Sequence, residues 1–417
     1  MKVSDILSNH QGVCPYCGLV HETAVRDVCV YSGAVNDVGT ILKRNSFPYD
    51  ILLVADKQTL KASEGIIESL SGFKVDYKIY DTIRVATMDH VDELCKMISG
   101  KNIGILSVGT GSVNDPCRLA AAREGRMLAV FGTAPSMDGF ASYSSPIVKD
   151  GFKASYAAKS PEVIIADTKI LADSPSELKS AGFGDMMAKY VALIDWKLSE
   201  MLIGEKYCPF VAGITREATD ELLSMADKVT VSDEQTAGMI FESLLKTGIG
   251  MSFMKNSRPA SGCEHVISHL MECIELRDGI IPNYHGEDIG VSTLAMLRYY
   301  NALADRDSVG FCKDFADWDD IYSFYGNMAD DVRKLNTPDT VTDYVDPEEL
   351  KEKWNDIRSL IRSVPGPDIV EDAMRRAGCR LTVKDIGKSQ KLFDDCVKYS
   401  PYMRRRLTLL RMKNMII

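Results

Sequence analysis

Hydrophobic and polar positions follow two different periods along the chain. Between residues 50 and 170, short apolar runs alternate with amphipathic stretches, and this alternation predicts buried strands separated by helices. The runs that predict strands are ILLVAD (51–56), VDYKIYD (75–81), IGILSVG (103–109), MLAVFGTAPS (127–136) and PEVIIADT (161–168). Helices are predicted around residues 60–70 and 90–98. Strands that alternate with helices predict a parallel sheet covered by helices on both faces.

After Asp173-Ser174-Pro175 the pattern becomes helical. Long amphipathic stretches such as FGDMMAKYVALIDWKLSEML (183–202) follow, with few convincing strands. Asp-Ser-Pro is typical of the start of a helix, because Asp or Ser caps the first amides and Pro fits the first turn. We therefore predict an α/β domain over residues 1–175 and an all-helical domain over residues 176–417.

Composition and charge exclude some classes of protein. The chain is 45% hydrophobic and 26% charged, as in ordinary globular proteins, and its net charge is -10. A negative chain is a poor nucleic-acid binder, because such binding depends on clustered Lys and Arg. The local exception is a basic stretch near the C-terminus, with Arg404, Arg405, Arg406, Arg411 and Lys413. We interpret it as the solvated basic end of a helix rather than as an anion-binding site.

The sequence also bears on location and redox state. The opening residues MKVSDILSNHQG lack the apolar stretch of a signal peptide. No later segment approaches the roughly 20 apolar residues that cross a bilayer. We therefore expect a cytoplasmic protein without membrane insertion. Eleven scattered cysteines indicate reduced thiols rather than a disulfide framework.

A glycine-rich turn follows the predicted strand at 103–109. In Gly109-Thr110-Gly111-Ser112-Val113 the backbone amides and the start of the next helix can cradle a pyrophosphate. The motif is incomplete, because Asn114 stands where a third Gly is usual in GxGxxG. Asp56, at the end of an earlier strand, has two open interpretations. It either accepts hydrogen bonds from a ribose or caps the strand end, and its place upstream of the turn differs from the usual Rossmann order.

Histidines are rare and clustered. Of the six in the chain, His265, His269 and His285 fall within 21 residues. His265 and His269 are four residues apart, which places both rings on one helix face. His285 opens another predicted helix, so a metal ion could link the two helices. A catalytic site of this kind also needs a carboxylate, and Asp185 is the best candidate by position, although composition does not choose it among 59 acidic residues.

Five stretches together resemble the sn-glycerol-1-phosphate dehydrogenase branch of the iron-containing alcohol dehydrogenase superfamily. They are GTGSVNDPCRLAA (109–121), TAPSMDGFAS (133–142), GFGDMMAKY (182–190), SGCEHVISHLME (261–272) and HGEDIGVSTL (285–294). They occur in the family's order over about residues 50–300. The SMDG segment and the EHxxSH helix distinguish this branch from glycerol dehydrogenases and from dehydroquinate synthases. The resemblance implies the dehydroquinate synthase-like fold, with a dinucleotide-binding α/β domain followed by an all-α metal-binding domain.

The resemblance also implies roles for individual residues. Asp185, His265 and His285 are implied as ligands of one divalent ion, which is zinc, nickel or iron in different members. His269 and Asp138 are implied to face the substrate, and Asp185 can touch it as well. The residues implied to line NAD(H) or NADP(H) are Gly109, Thr110, Gly111, Ser112, Val113, Thr133, Ala134, Pro135, Ser136 and Ser142.

The implied reaction is the reversible reduction of dihydroxyacetone phosphate to sn-glycerol 1-phosphate for phospholipid synthesis, in a homodimer. His269 is expected to donate a proton or orient the substrate hydroxyls, and Asp138 is expected to fix the hydroxymethyl end. Two related activities stay open, a glycerol or polyol dehydrogenase and a dehydroquinate synthase-like lyase. A non-catalytic nucleotide-binding protein is a third possibility. No residue is singled out for the substrate phosphate or for selecting NADH over NADPH.

Two regions depart from the family pattern. Near the N-terminus, Cys14-Pro-Tyr-Cys17-Gly-Leu-Val-His21 is similar to a segment of bacterial members of the branch, and its CxxC invites a zinc-ribbon interpretation. No second CxxC exists to complete a ribbon, so we do not predict a structural metal there. From about residue 300 onwards only the helical character matches, and no function is assigned to that region.

Overall fold

The computed structural model describes residues 1–417. It contains ten strands and nineteen α-helices. The strands are β1 (Gly12–Val13), β2 (Val20–His21), β3 (Asp27–Tyr31), β4 (Asp50–Asp56), β5 (Lys74–Tyr80), β6 (Ile103–Gly109), β7 (Leu128–Gly132), β8 (Ser144–Lys149), β9 (Phe152–Ala157) and β10 (Val163–Asp167).

The helices divide between the two halves of the chain. Those before residue 175 are α1 (Val3–Asn9), α2 (Val38–Arg44), α3 (Lys57–Ala62), α4 (Ile66–Ser69), α5 (Met88–Ile98), α6 (Gly111–Arg123) and α7 (Thr168–Asp173). Those after it are α8 (Ser176–Met187), α9 (Lys189–Ile203), α10 (Pro209–Leu223), α11 (Glu234–Met254), α12 (Cys263–Arg277), α13 (His285–Ala304), α14 (Trp318–Tyr325), α15 (Ala329–Asn336), α16 (Pro347–Glu352), α17 (Trp354–Arg362), α18 (Pro367–Arg376) and α19 (Gln390–Tyr399).

Six strands form one fully parallel sheet in the order β3-β10-β7-β6-β4-β5. The predicted parallel sheet is confirmed, and all five predicted strands belong to it. The central strand β6 is buried along its whole length, as expected for a strand covered on both faces. The edge strand β3 was not predicted, because its DVCVY sequence is only partly buried and carries a polar first residue.

Two local features differ from the expected pattern. The helix predicted around residues 60–70 is divided into α3 and α4, since Gly65 has a left-handed φ of 94° between them. The chain between β7 and β10 forms an antiparallel hairpin of β8 and β9, which the sequence pattern did not indicate. Every residue of β9 is exposed or only partly buried, so the strand lacks the apolar run that reveals a buried strand.

The second half is helical, as predicted: after β10 only one isolated bridge, between Phe311 and Ile416, has β character. The largest core cluster lies within this half, from Phe183 to Ile416. A second cluster combines residues around the sheet with residues of α9, α10 and α11. The boundary predicted near residue 175 falls just before α8 and stays a prediction. None of the helices combines the length and apolar character needed to span a membrane.

Candidate active site

Glycines bring helices α8 and α13 into backbone contact. A Cβ on Gly286 would lie 1.8 Å from the carbonyl oxygen of Ala181, and one on Gly184 would lie 2.6 Å from the carbonyl oxygen of Gly286. Real Cβ atoms do not approach this closely, so the packing requires glycine at both positions. The contact places Asp185, near the end of α8, beside His285 at the start of α13.

Asp185, His265 and His285 converge from three helices. One potential ligand atom from each lies within 4.8 Å of those of the other two. The Nε2 atom of His265 is 3.5 Å from an Asp185 carboxylate oxygen. The ring of His269 also faces this cluster, with its centroid 5.5 Å from that of His285 and 6.2 Å from that of His265. The structure therefore brings together all four residues that the sequence singled out.

Glu264 orients the His265 ring. Its carboxylate accepts a 2.6 Å hydrogen bond from His265 Nδ1 and a 2.9 Å bond from the backbone amide of Gly262. A carboxylate on Nδ1 fixes the ring so that Nε2 points into the site, an arrangement that supports metal-binding histidines. Sequence reasoning did not single out Glu264, although it is adjacent to His265 in the EHxxSH stretch.

Lys189 joins two carboxylates inside the site. Its Nζ lies 2.6 Å from an oxygen of Asp138 and 2.6 Å from Asp185 Oδ1, while the amide of Asp138 donates a 2.9 Å bond to Asp185 Oδ2. Burial opposes charge on Lys189, but the two carboxylates outweigh it and raise its pKa. Burial likewise opposes charge on Asp185, yet Lys189 and His265 hold its pKa below the usual range. Asp185 is therefore ionised.

The charges around the cluster suit a divalent cation. Two buried carboxylates, those of Asp138 and Asp185, pair with the buried Lys189, and a third, that of Glu264, bonds to His265. Burial opposes protonation of His265, but hydrogen bonds to Asp185 and Glu264 outweigh it and raise the His265 pKa. Two nitrogens and a carboxylate oxygen are a donor set found in catalytic zinc and related sites. The residues present therefore fit the implied metal.

The other two rings are electrically neutral. Burial and the positive charge of Lys153 lower the pKa of His285 well below its usual range, and the same two causes lower that of His269. Neutral imidazole is the form that binds metals, so His285 needs no proton removed before it can act as a ligand. His269 is neutral as well and can exchange a hydrogen bond with a substrate oxygen.

A continuous cleft runs from the glycine-rich turn to the histidines. Its glycine-loop part is lined by eight predicted nucleotide residues: Asp56, Thr110, Gly111, Ser112, Val113, Thr133, Ala134 and Ser136. Its histidine part is lined by Asp138, Ser142, His265, His269 and His285, among others. Gly109 and Pro135 lie behind the lining rather than in it. Asp185 also lies beneath the surface of the cleft and is fully buried.

The start of α6 faces the glycine-loop part. No side chain caps this helix N-terminus, so its positive end is available to an anionic ligand. Gly109 has a φ of 154°, and a Cβ there would lie 3.0 Å from Val113. Both features favour glycine at the first position of the turn. Asp56 caps α3 by accepting bonds from the amides of Gln58 and Thr59 at 3.0 and 2.8 Å. Asp56 thus caps the helix that follows its strand, and a ribose contact stays a prediction.

The basic stretch near the C-terminus is not a solvated helix end, so that interpretation was wrong. It follows α19 as irregular chain and returns to the histidine part of the cleft, which Arg404 and Arg406 line together with Lys153. Arg411 is instead buried against Asp314, 2.6 Å away. Of the four arginines in this stretch, only Arg405 is exposed. Sequence periodicity could not reveal this, because the segment owes its position to distant contacts.

The two cleft arginines are incompletely neutralised. Arg404 forms no ion pair, and burial lowers its pKa. Burial and the nearby charges of Arg258 and Arg404 lower the pKa of Arg406 to about 9. Arg406 donates hydrogen bonds to the hydroxyl of Ser257 at 2.6 Å and to the carbonyl of Ser261 at 3.2 Å, and neither partner carries a charge. An anion in the cleft would therefore be favoured beside both guanidinium groups.

Comparisons with known proteins agree with this geometry. A family model described as iron-containing alcohol dehydrogenase matches residues 29–175. A glycerol-1-phosphate dehydrogenase (NAD(P)+) of Methanothermobacter thermautotrophicus is 31% identical over 331 residues, which make up 78% of this chain and 87% of that protein. The chain belongs to the glycerol-1-phosphate dehydrogenase family. Another member of this family, from Halalkalibacterium halodurans, is 26% identical over 396 residues, covering 94% of this chain and 86% of that protein.

Solved structures show the same fold at low identity. Sulfoacetaldehyde reductase from Bifidobacterium kashiwanohense, in complex with NAD+, superposes with a TM-score of 0.62 and 15% identity, covering 94% of this chain and 96% of that one. At this identity the likeness concerns the fold alone. The predicted family and the predicted fold are both confirmed.

Proposed function

We propose that this chain catalyses the reversible reduction of dihydroxyacetone phosphate to sn-glycerol 1-phosphate with NADH or NADPH. Membership of the glycerol-1-phosphate dehydrogenase family supports the reaction. One observation supports this substrate in particular. The cluster of Asp185, His265 and His285 lies in the same cleft as two guanidinium groups without ion pairs, those of Arg404 and Arg406. The first group suits a carbonyl, and the second suits a phosphate.

Asp185, His265 and His285 are the proposed metal ligands. A divalent ion held by these residues would supply Lewis-acid polarisation of a carbonyl group and would stabilise negative charge on its oxygen. Lys189 keeps Asp185 ionised and in place, and Glu264 keeps Nε2 of His265 directed into the site. These two residues position ligands rather than touch the substrate.

The glycine-loop part of the cleft is the proposed dinucleotide site. The uncapped start of α6 at Gly111 and Ser112 offers amides to the pyrophosphate. Gly111, Ser112 and His285 line both parts of the cleft, so a dinucleotide bound at the loop reaches the histidines. A dinucleotide held there would supply the hydride from its reduced nicotinamide.

Arg404 and Arg406 are the proposed binders of the substrate phosphate. Guanidinium groups match phosphate oxygens in geometry and charge. Lys153 lies in the same part of the cleft but is already paired with Glu272 through bonds of 2.8 and 2.7 Å. It therefore adds less attraction than the two arginines.

His269 and Asp138 are the proposed contacts to the carbon skeleton. The neutral ring of His269 borders the cleft one helical turn from His265, so its N–H can donate a hydrogen bond to the oxygen formed at C2, and the proton that this oxygen takes up then comes from solvent. Burial and the charge of Asp185 raise the pKa of Asp138. Held by Lys189, its carboxyl group is placed to orient a substrate hydroxyl.

One assay tests the proposal. Purified protein reloaded with zinc, nickel or iron is given NADH or NADPH and either dihydroxyacetone phosphate or dihydroxyacetone, and the chirality of the product is determined. We expect cofactor oxidation with the phosphorylated substrate and formation of sn-glycerol 1-phosphate. Turnover of the unphosphorylated compound alone indicates a polyol dehydrogenase. Product formation without net oxidation of cofactor indicates a lyase.

The proposal also covers the position of the cleft, the oligomeric state and the identity of the metal ion. The active cleft lies between an α/β domain (1–175) and a helical domain (176–417), in a homodimer, and the bound ion is zinc, nickel or iron. The metal assay above distinguishes the ions by the activity that each restores. Sedimentation or light scattering of the purified protein tests the dimer.

A further inference from the structure

A second group of metal-binding side chains lies away from the cleft. Cys14, Cys17 and His21 come from the N-terminal segment, and Cys208 comes from the residue just before α10. One ligand atom from each lies within 4.8 Å of the other three. None of these residues lines either part of the cleft. The partner that the lone CxxC lacked in sequence is therefore supplied by a cysteine 194 residues away.

A tight turn of the backbone brings Cys14 and Cys17 close together. Strands β1 and β2 pair as a hairpin, with Gly12 opposite His21. In the turn between them, the amide of Cys14 donates to the carbonyl of Leu19 and the amide of Gly18 donates to the carbonyl of Cys14, both at 2.8 Å. Gly18 takes a φ of 71°, which favours glycine and lets the chain close this tight turn.

Two of the ligand spacings are close to those of a tetrahedral zinc site, and the others are within 4.8 Å. Two sulfurs bound to one zinc at about 2.3 Å stand about 3.8 Å apart, and a sulfur and an imidazole nitrogen stand about 3.6 Å apart. The sulfurs of Cys14 and Cys208 are 3.8 Å apart, and the sulfur of Cys17 is 3.4 Å from Nε2 of His21. A disulfide needs about 2.05 Å between its sulfurs, so Cys14 and Cys208 are free thiols, and their spacing is compatible with a shared ion.

The surroundings also favour a closed, structural site. Cys14, His21 and Cys208 are buried, and the ring of His21 stacks on Phe253 with centroids 4.8 Å apart. Stacking fixes the ring that presents Nε2 to the three sulfurs. Four protein ligands leave no open position for a substrate.

We propose that Cys14, Cys17, His21 and Cys208 bind a structural zinc ion that fastens the N-terminal hairpin to the start of α10. This site is separate from the proposed catalytic metal and contains sulfur, whereas the catalytic cluster contains none. It does not depend on the proposed reaction. The zinc would cross-link residues 14–21 of the first half to the helical second half.

Cobalt distinguishes the two sites, because thiolate ligands give an intense near-ultraviolet charge-transfer absorption that nitrogen and oxygen ligands do not. The full chain is produced in cobalt-supplemented medium under reducing conditions. We expect this absorption in the wild type and, at equal intensity, in His285→Ala, which removes a proposed catalytic ligand. Cys17→Ser should lose most of it. Cys95→Ser, a substitution at a similarly half-buried cysteine outside the cluster, should keep it.

Zinc content provides the second measurement. Wild-type protein grown with zinc should retain one equivalent per chain after dialysis against a chelator that empties the catalytic site, and a thiol-specific mercurial should release it. His21→Cys should retain this equivalent, and His21→Ala should lose it. The proposal is overturned if the wild type shows no thiolate-to-cobalt absorption. It is also overturned if Cys17→Ser absorbs as strongly as Cys95→Ser, or if a Cys14–Cys208 disulfide forms in protein that retains full activity and stability.

Discussion

Replacing Arg404 with Gln should separate phosphate binding from the rest of catalysis. Arg404 forms no ion pair, and burial lowers its pKa, so the substitution breaks no salt bridge within the protein. A charge-assisted hydrogen bond contributes about 1.5–3 kcal/mol. Loss of one such bond to the phosphate therefore lowers kcat/KM for dihydroxyacetone phosphate about 10- to 150-fold. Dihydroxyacetone carries no phosphate, and its kcat/KM should change less than about threefold, within the spread of surface substitutions.

The assay is steady-state cofactor oxidation with both substrates at fixed metal and NAD(P)H. Arg405→Gln is the matched control, because this neighbouring side chain is exposed and binds Asp339 outside the cleft. We expect it to leave both kcat/KM values near those of the wild type. An equal loss on the two substrates with Arg404→Gln, or no loss on either, would refute the assignment of Arg404 to the phosphate.

Three further substitutions test the supporting structure. Lys189→Met leaves two buried carboxylates without their cation, so we expect the metal-free protein to lose about 3–5 kcal/mol in the free energy of unfolding. Thermal unfolding measured with and without metal should show a smaller loss in the metal-bound protein. Gly286→Ala forces α8 and α13 apart at a cost of about 1–3 kcal/mol and should weaken metal retention, whereas Gly213→Ala, where a Cβ meets nothing within 4 Å, should not. Burial opposes charge on Glu205, but its bonds to Arg258 outweigh burial and lower the Glu205 pKa. The pair therefore stabilises the fold fully above the unfolded pKa of about 4.3. This stabilisation is lost as pH falls through the lower pKa of the folded state. Glu205→Gln should therefore lower the unfolding temperature at pH 7 and approach the wild type below about pH 4, and a constant difference between the two would contradict this.

The parallel sheet could be predicted because its signal is local. Buried strands such as β4 and β6 are continuous apolar runs, because a strand buried on both faces has an apolar side chain at nearly every consecutive position. Strands β3 and β9 are only partly buried, and their sequences do not differ enough from loops to be recognised. The same limit applies to Gly65, whose effect on the helix depends on a backbone angle rather than on hydrophobicity.

The candidate site was predictable to the extent that its residues are close in sequence. His265 and His269 could be paired by helical spacing, but Asp185 depended on resemblance, since its neighbours His265 and His285 lie 80 and 100 residues further along the chain. Glu264 is next to His265 and Lys189 is one turn after Asp185, so both could have been found once the ligands were known. Arg404, Arg406 and Cys208 had no such local signal.

One buried carboxylate connects the proposed metal ligands to the proposed phosphate site. Asp195 accepts the amide of Cys263 at the start of α12 through one oxygen, and the amide of Leu409 and the hydroxyl of Tyr300 through the other, at 2.7–2.9 Å. Helix α12 carries His265, and the segment before Leu409 carries Arg404 and Arg406. Asp195 thus joins the start of the helix that carries His265 to the segment that carries the two arginines. Because the same side chain bonds both segments, a substrate that must reach the histidines and the arginines together depends on Asp195 for their relative placement.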